Sequence, residues 1–196
     1  MLIDIPNLKT ETALKTEHVN RFSSISIDQH FDVNFVANLL TSPSGLGQIR
    51  HDTMMMYYSD GAFNFIQLLT YVLAQTGKAD AILTTYSIAE DMLKVLKRQQ
   101  DRGEIGTIRF LIDNRVRTIS PKPFGCLVTA FPDAYRLRAV HAKVCLVYND
   151  DWKVTIVGSQ NATHNPKLET GVLFTSEDVF NFHKSRLEHE FDCGTT

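Results

Sequence analysis

Three short apolar runs separated by two helix-like stretches constrain the fold of this 196-residue chain more than any other feature. The runs lie at 53–58, which contains Met54, Met55 and Met56, at 81–86, and at 107–112. The last is nearly continuous in apolar residues, the pattern of a strand buried on both faces. Between the first two, Ser59 or Asp60 can cap a helix over 61–75 that Gly77 ends. Before the third, Ser87-Ile-Ala-Glu90 matches a capping box for a helix that buries Ile88, Met92, Val95 and Leu96 and stops at Gly103. Strand–helix–strand–helix–strand order predicts an α/β fold: a mixed, largely parallel sheet flanked by helices on both faces. Residues 135–140 and 169–175 read as further strands. Ser176 opens a last helix with Val179, Phe180, Leu187 and Phe191 on its buried side. Pro121, Pro123 and Gly125 break the segment 116–132, and 124–131 fits a short helix or a strand. Residues 1–50 do not follow this rhythm, apart from one amphipathic segment at 31–40. They are read as an N-terminal extension that packs on the core or on a partner, with the main domain spanning 51–196.

Two short motifs carry the chemistry. His141-Ala-Lys143 and Gly158-Ser159-Gln-Asn161 place an imidazole, an ammonium, a hydroxyl and a carboxamide within 21 residues. Side chains two apart on a strand share a face, so His141 pairs with Lys143 and Ser159 with Asn161. A hairpin joining the two segments brings all four groups to one mouth. An imidazole can attack phosphorus, and the other three can hold non-bridging phosphate oxygens.

This pair of motifs, in the stretch HAKVCLVYNDDWKVTIVGSQNATHNPKLE, resembles the phospholipase D superfamily, whose sites carry H-x-K followed by G-S-x-N. The resemblance implies a phospholipase D/nuclease-like fold and a phosphohistidine mechanism, and it makes Glu169 the candidate acid that orients the histidine. The family usually has an aspartate five residues after the lysine; here that position is Tyr148, and the hairpin is three residues longer than usual. Family chemistry needs two histidines, one to attack and one to protonate the leaving oxygen. Only His141 is followed two residues later by lysine. One motif per chain therefore implies a homodimer with the two copies meeting at a two-fold axis. His18, His30, His51, His183 and His189 have weaker claims to a role, and His164, just beyond the second motif, is a candidate substrate contact. No metal and no cofactor are expected.

Charge narrows the substrate. The net charge of −2 hides a block at 94–143 with eleven Lys or Arg against four Asp or Glu. Such a block raises the local concentration of a polyanion. Arg115, Arg117, Arg136 and Arg138 flank strand ends leading to the H-x-K motif and are the candidate phosphate contacts. Lys94, Lys97, Arg98 and Arg102 fit the wet face of a helix equally well. Nucleic acid, DNA ahead of RNA, is the expected substrate of an endonuclease of this kind. The alternatives are a catalytically silent nucleic-acid-binding module and a lipid phospholipase D. For the lipid reading the chain lacks an amphipathic membrane helix and a lipidation motif, and no stable membrane association is expected. Cys126, Cys145 and Cys193 show no paired spacing and read as reduced thiols, which with the polar N-terminus points to a cytoplasmic protein. A helicase or defence-protein partner leaves no signature in the sequence.

Overall fold

The computed structural model describes residues 46–196 and the backbone of 32–36. An eight-stranded sheet dominates it. Its strands are β1 (Asp32–Val36), β2 (Thr53–Asp60), β3 (Ala79–Thr85), β4 (Ile105–Asp113), β5 (Tyr135–Arg138), β6 (Val144–Tyr148), β7 (Lys153–Gly158) and β8 (Leu168–Phe174). The helices are α1 (Phe65–Thr76), α2 (Glu90–Asp101), the single turn α3 (Val116–Ile119), α4 (Pro121–Ala130) and α5 (Glu177–Asp192).

Sheet order is β1-β2-β8-β7-β6-β3-β4-β5. The expected largely parallel sheet is not what forms. Only β1–β2, β3–β4 and β4–β5 are parallel, and the other four pairings are antiparallel. The reason is topological. The alternation suggests two consecutive crossover units, but only the second, β3–α2–β4, joins neighbours. After α1 the chain steps far from β2, and the meander β6–β7–β8 later fills the gap with antiparallel pairs. A four-residue turn joins β6 to β7, which forces that pair to be antiparallel, and a longer loop over 159–167 returns the chain as β8. In the β6–β7 turn, the Asn149 side chain accepts from the amides of Asp151 (3.0 Å) and Trp152 (2.8 Å).

Helices cover both faces, as expected. On one face α1 and α2 bury Phe65, Leu69, Val72, Leu93 and Leu96 against Ala81, Leu83, Phe110, Cys145 and Ile156. On the other, α5 seats Phe180 and Leu187 on Ile82, Leu111, Val144 and Leu146. Adjacent residues of β3 and β6 thus feed opposite layers, which is why both strands read as continuous apolar runs. Leu46 and Ile49 join the α1 layer, so the packed core reaches back past His51. Most of the expected N-terminal extension lies outside the described residues; the backbone at 32–36 adds an edge strand to β2.

Helix starts differ in detail from the sequence reading. Asn64, not Ser59 or Asp60, caps α1, and Gln67 completes its capping box. Ser59 is buried and bonded to Phe63 instead. Residue Ala89 stands at the N-cap of α2, with no side-chain cap, in place of Ser87. The backbone there is held extended by a bridge from Ile88 to Ala162, with Ala89 N donating to Ala162 O at 2.8 Å. The ambiguous 124–131 segment is helical to Ala130, within α4, with Phe131 as its C-cap and Pro121 at the helix start where a missing amide costs nothing.

Candidate active site

Four strand ends converge at one place: the C-terminal ends of β3 and β7 and the N-terminal ends of β6 and β8. His141 and Lys143 are not on a strand from 135 onward, as the alternation suggested. β5 ends at Arg138 on the sheet edge, and residues 139–143 cross irregularly to the centre, where β6 begins. The two side chains still meet. Lys143 Nζ lies 3.2 Å from His141 Nδ1 and donates to His141 O at 2.6 Å. The imidazole is exposed, whereas Lys143 is only 7% exposed.

Ser159 and Asn161 follow β7 on the outward side, while Gln160 between them turns inward to donate to Phe63 O at 2.8 Å. Glu169 accepts from the Ser159 hydroxyl and from the Asn165 carboxamide. Glu169 thereby holds the serine and the loop after it. Thr170 N also donates to Ser159 Oγ at 3.1 Å.

Two threonines of β3, unremarkable as strand residues, tie both motifs to that strand. Buried Thr84 donates to Ala142 O (3.0 Å) and accepts from Val144 N (2.9 Å), which sets the path of the His141–Lys143 segment. Thr85 Oγ1 accepts from Ala162 N (3.2 Å) and lies 3.3 Å from the Asn161 carboxamide oxygen. Asp113 and Tyr86 were missed as well. Asp113, 2% exposed, accepts from Arg115 N (3.1 Å), Arg115 Nε (2.8 Å) and Val140 N (3.2 Å), one residue before His141. Arg115 in turn covers the Tyr86 ring at 4.7 Å, and Tyr86 packs on His141 at 5.4 Å. No sequence signal marked Thr84 or Thr85, because their roles depend on non-local partners, and the tie of Asp113 to Val140 is non-local as well.

The candidate arginines divide. Arg115 sits within this cluster. Arg138 pairs with Glu190 of α5 at 2.8 Å, Arg136 lies over Phe191 at 4.7 Å, and Arg117 donates to Thr196 O. Those three are engaged by α5 and the C-terminus. Exposed His164 pairs with Asp91 on α2 at 2.6 Å. Tyr148 stands at the far end of β6 from Lys143, roughly 16 Å away at the rise of a strand, packed on Phe180 and beneath Lys184. A tyrosine there supports the α5 layer and leaves the motif end of the strand untouched.

The electrostatics of this mouth turn on Lys143 and Asp113. Burial pushes the Lys143 ammonium below the ordinary lysine range, opposed by nearby Glu169. A lowered lysine pKa means the unfolded chain binds more protons between the folded and unfolded values, so this group's penalty to stability fades as pH rises through that window. An anion that docks on Lys143 relieves the same penalty. Sulfate or vanadate at 100 times its Kd is expected to stabilise the protein by about 2.7 kcal/mol. Lys143→Met is expected to lose that gain in a thermal melt. Asp113 shows the opposite behaviour. Burial alone would raise its carboxyl, but the Arg115 guanidinium and amide and the Val140 amide hold it below the ordinary aspartate range. Its contribution is therefore present above the unfolded value of about 3.9 and lost as pH falls through the folded one. Asp113→Asn is expected to flatten the acid limb of the stability profile and to lower turnover by loosening residues 139–143. An unchanged acid limb in urea titrations would contradict this.

Among the described residues, no group of three or more His, Cys, Asp or Glu is placed to hold a metal ion, and no helix is long and apolar enough to cross a membrane. The three cysteines are free thiols.

No family model matches the sequence, and no curated protein matches it. Solved structures do match. A polyphosphate kinase from Porphyromonas gingivalis superposes with a TM-score of 0.55 and 14% identity, over 74% of this chain and 26% of that one. The fold is shared. NucT from Helicobacter pylori matches with a TM-score of 0.49 and 14% identity, over 72% of this chain and 98% of that one. A phosphatidylserine synthase from Haemophilus influenzae gives 0.48 and 12%, over 70% and 38%. The chain spans about a quarter of the polyphosphate kinase. At such identity the likeness to the polyphosphate kinase speaks of fold alone.

Proposed function

We propose that this protein is a metal-independent phosphodiesterase that cleaves nucleic acid through a phosphohistidine intermediate at a homodimer interface. The observation that carries this reading is the contact of Lys143 Nζ with His141, at the sheet end where Ser159, Asn161 and Glu169 also gather. His141 attacks the phosphorus, a bond to the leaving oxygen breaks, and that oxygen takes a proton from His141 of the partner subunit. The partner imidazole then removes a proton from water, which attacks the phosphohistidine and frees His141. Lys143, Ser159 and Asn161 hold the non-bridging oxygens, whose charge grows in the transition state. The exposure of the imidazole is what an isologous pairing of two such sites requires.

Arg115 is the arginine best placed to extend this phosphate cradle, and the basic block favours DNA or RNA over a lipid headgroup. The test is cleavage of labelled single- and double-stranded DNA and of RNA in EDTA, beside headgroup release from liposomes. Cleavage of nucleic acid in EDTA is expected. Retention of DNA without cleavage would identify a silent binding module, and headgroup release alone would identify a lipid enzyme.

A further inference from the structure

A groove runs between α2 and α4, which pack against each other beside the site. Asp91, Lys94, Lys97, Arg98, Cys126 and Ala130 line one cavity of about 420 Å³. A second, of about 440 Å³, shares Cys126 and Ala130 and adds Glu90 and Lys122. Four cations thus border a floor made of a half-buried thiol and a methyl group. One end of the groove is Asp91, which is bonded to His164 in the loop that follows Asn161. The groove therefore begins where the second motif ends.

We infer that this groove carries one strand of nucleic acid as it leaves the reaction site. The inference rests on the nuclease reading above and names a strand path for it. Charge supports it first. Lys94 and Lys97 are bonded to Glu90 and Asp101, but both are exposed i,i+4 pairs. Exposed pairs of this kind are weak, so a phosphate can replace the carboxylate at little cost. No carboxylate partner of Arg98 or Lys122 is found among the described residues. Shape supports it next. Packed helices lie about 8–10 Å apart, and a groove on such a pair admits one extended strand rather than a duplex. The apolar floor offers a face for bases between phosphate contacts. A merely solvated helix face would carry the same lysines without a cavity floored by Cys126.

Cys126 makes the inference testable. Cys145 is buried and Cys193 is exposed, so a Cys193→Ser protein presents Cys126 as its one accessible thiol among the described residues. A single-stranded oligonucleotide at ten times its Kd is expected to slow alkylation of Cys126 about tenfold, whereas a dinucleotide leaves it unchanged. The triple change Lys94→Gln, Arg98→Gln, Lys122→Gln is expected to reduce the salt slope of single-strand binding by about 2, at about 0.7 for each phosphate that is no longer neutralised. Its hydrolysis of a small chromogenic phosphodiester should match wild type, which also shows that the variant folds. Wild-type cleavage with no protection of Cys126 and an unchanged salt slope would overturn the strand path while leaving the nuclease reading standing. Protection by inorganic polyphosphate but not by an oligonucleotide would overturn it as well. A wild type that neither binds nor cuts nucleic acid would remove both readings.

Discussion

Replacing His141 with alanine is expected to abolish phosphodiester cleavage while leaving the fold unchanged. The side chain is exposed, and its ring contact is with half-buried Tyr86, so its removal opens no cavity in either apolar layer. The backbone of 140–144 stays tied to Asp113 and Thr84, neither of which depends on the imidazole. The chemistry, by contrast, loses its nucleophile. Removing the nucleophile from a site whose residues act as a unit costs on the order of 10⁴- to 10⁶-fold in turnover. Lys143→Met should cost less, about 10²- to 10³-fold, because it removes one stabiliser of the developing charge and leaves the attacking group in place. Steady-state rates with a small phosphodiester, read beside circular dichroism, separate the two. Equal losses in the two variants, or a thermal midpoint that falls with His141→Ala, would contradict these roles.

The largest expected effect on stability comes from a methyl group at Gly171. Gly171 of β8 faces Gly158 of β7, and the Tyr57 ring lies across both. A Cβ at 171 would stand 2.3 Å from Tyr57 Oη, 2.4 Å from its Cζ and 2.7 Å from Val157 O. Tyr57 is 0% exposed and a backbone carbonyl cannot move independently, so neither neighbour gives way cheaply. Gly171→Ala is expected to destabilise the protein by about 3 kcal/mol, the upper end of overpacking costs. Gly158→Ala, with Tyr57 Oη at 2.8 Å and Thr170 O at 3.1 Å, should follow the same direction with a smaller loss. Combining Gly171→Ala with Tyr57→Leu should recover part of the loss, since the rigid ring is then gone. Tyr57→Phe alone tests a different quantity. Among the described residues the buried hydroxyl has no hydrogen-bond partner, and burial pushes its pKa well up, helped by Cys145 and Glu169. Its removal should be neutral or stabilising, because no hydrogen bond goes with it. Urea unfolding of the four proteins would show this order. A tolerated Gly171→Ala would mean that the ring does not occupy the slot.

This slot also gives the glycine of the G-S-x-N motif a physical reason that its spacing does not supply. The motif reads as a list of polar groups, yet Gly158 is there to let Tyr57 pass under the serine. Long-range packing of this kind has no local signature. The same holds for Thr84 and Thr85, which look like ordinary strand residues until β6 and the Asn161 loop are seen to hang on their hydroxyls. Apolar runs, in contrast, were enough to locate β2, β3 and β4, and a helical stripe was enough to locate α5 and its buried side, since each is a local property. It was not enough for sheet order. A crossover helix does not show whether the next strand joins its neighbour or leaves room for a later meander, and the mostly antiparallel pairing followed from that choice. Arg136 and Arg138 show the limit for charge: their position near the motif was legible, but the acidic and aromatic face of α5 that engages them was not.

Covalent attachment of His141 to phosphorus can be caught by a rapid acid-free quench of turnover with phosphorus-labelled single-stranded DNA. The label is expected on the wild-type chain, on a peptide containing His141, stable to base and released by mild acid. It is expected to be absent from His141→Ala. Wild-type protein that cuts DNA without ever carrying the label, or a label that persists on the alanine variant, would contradict the account.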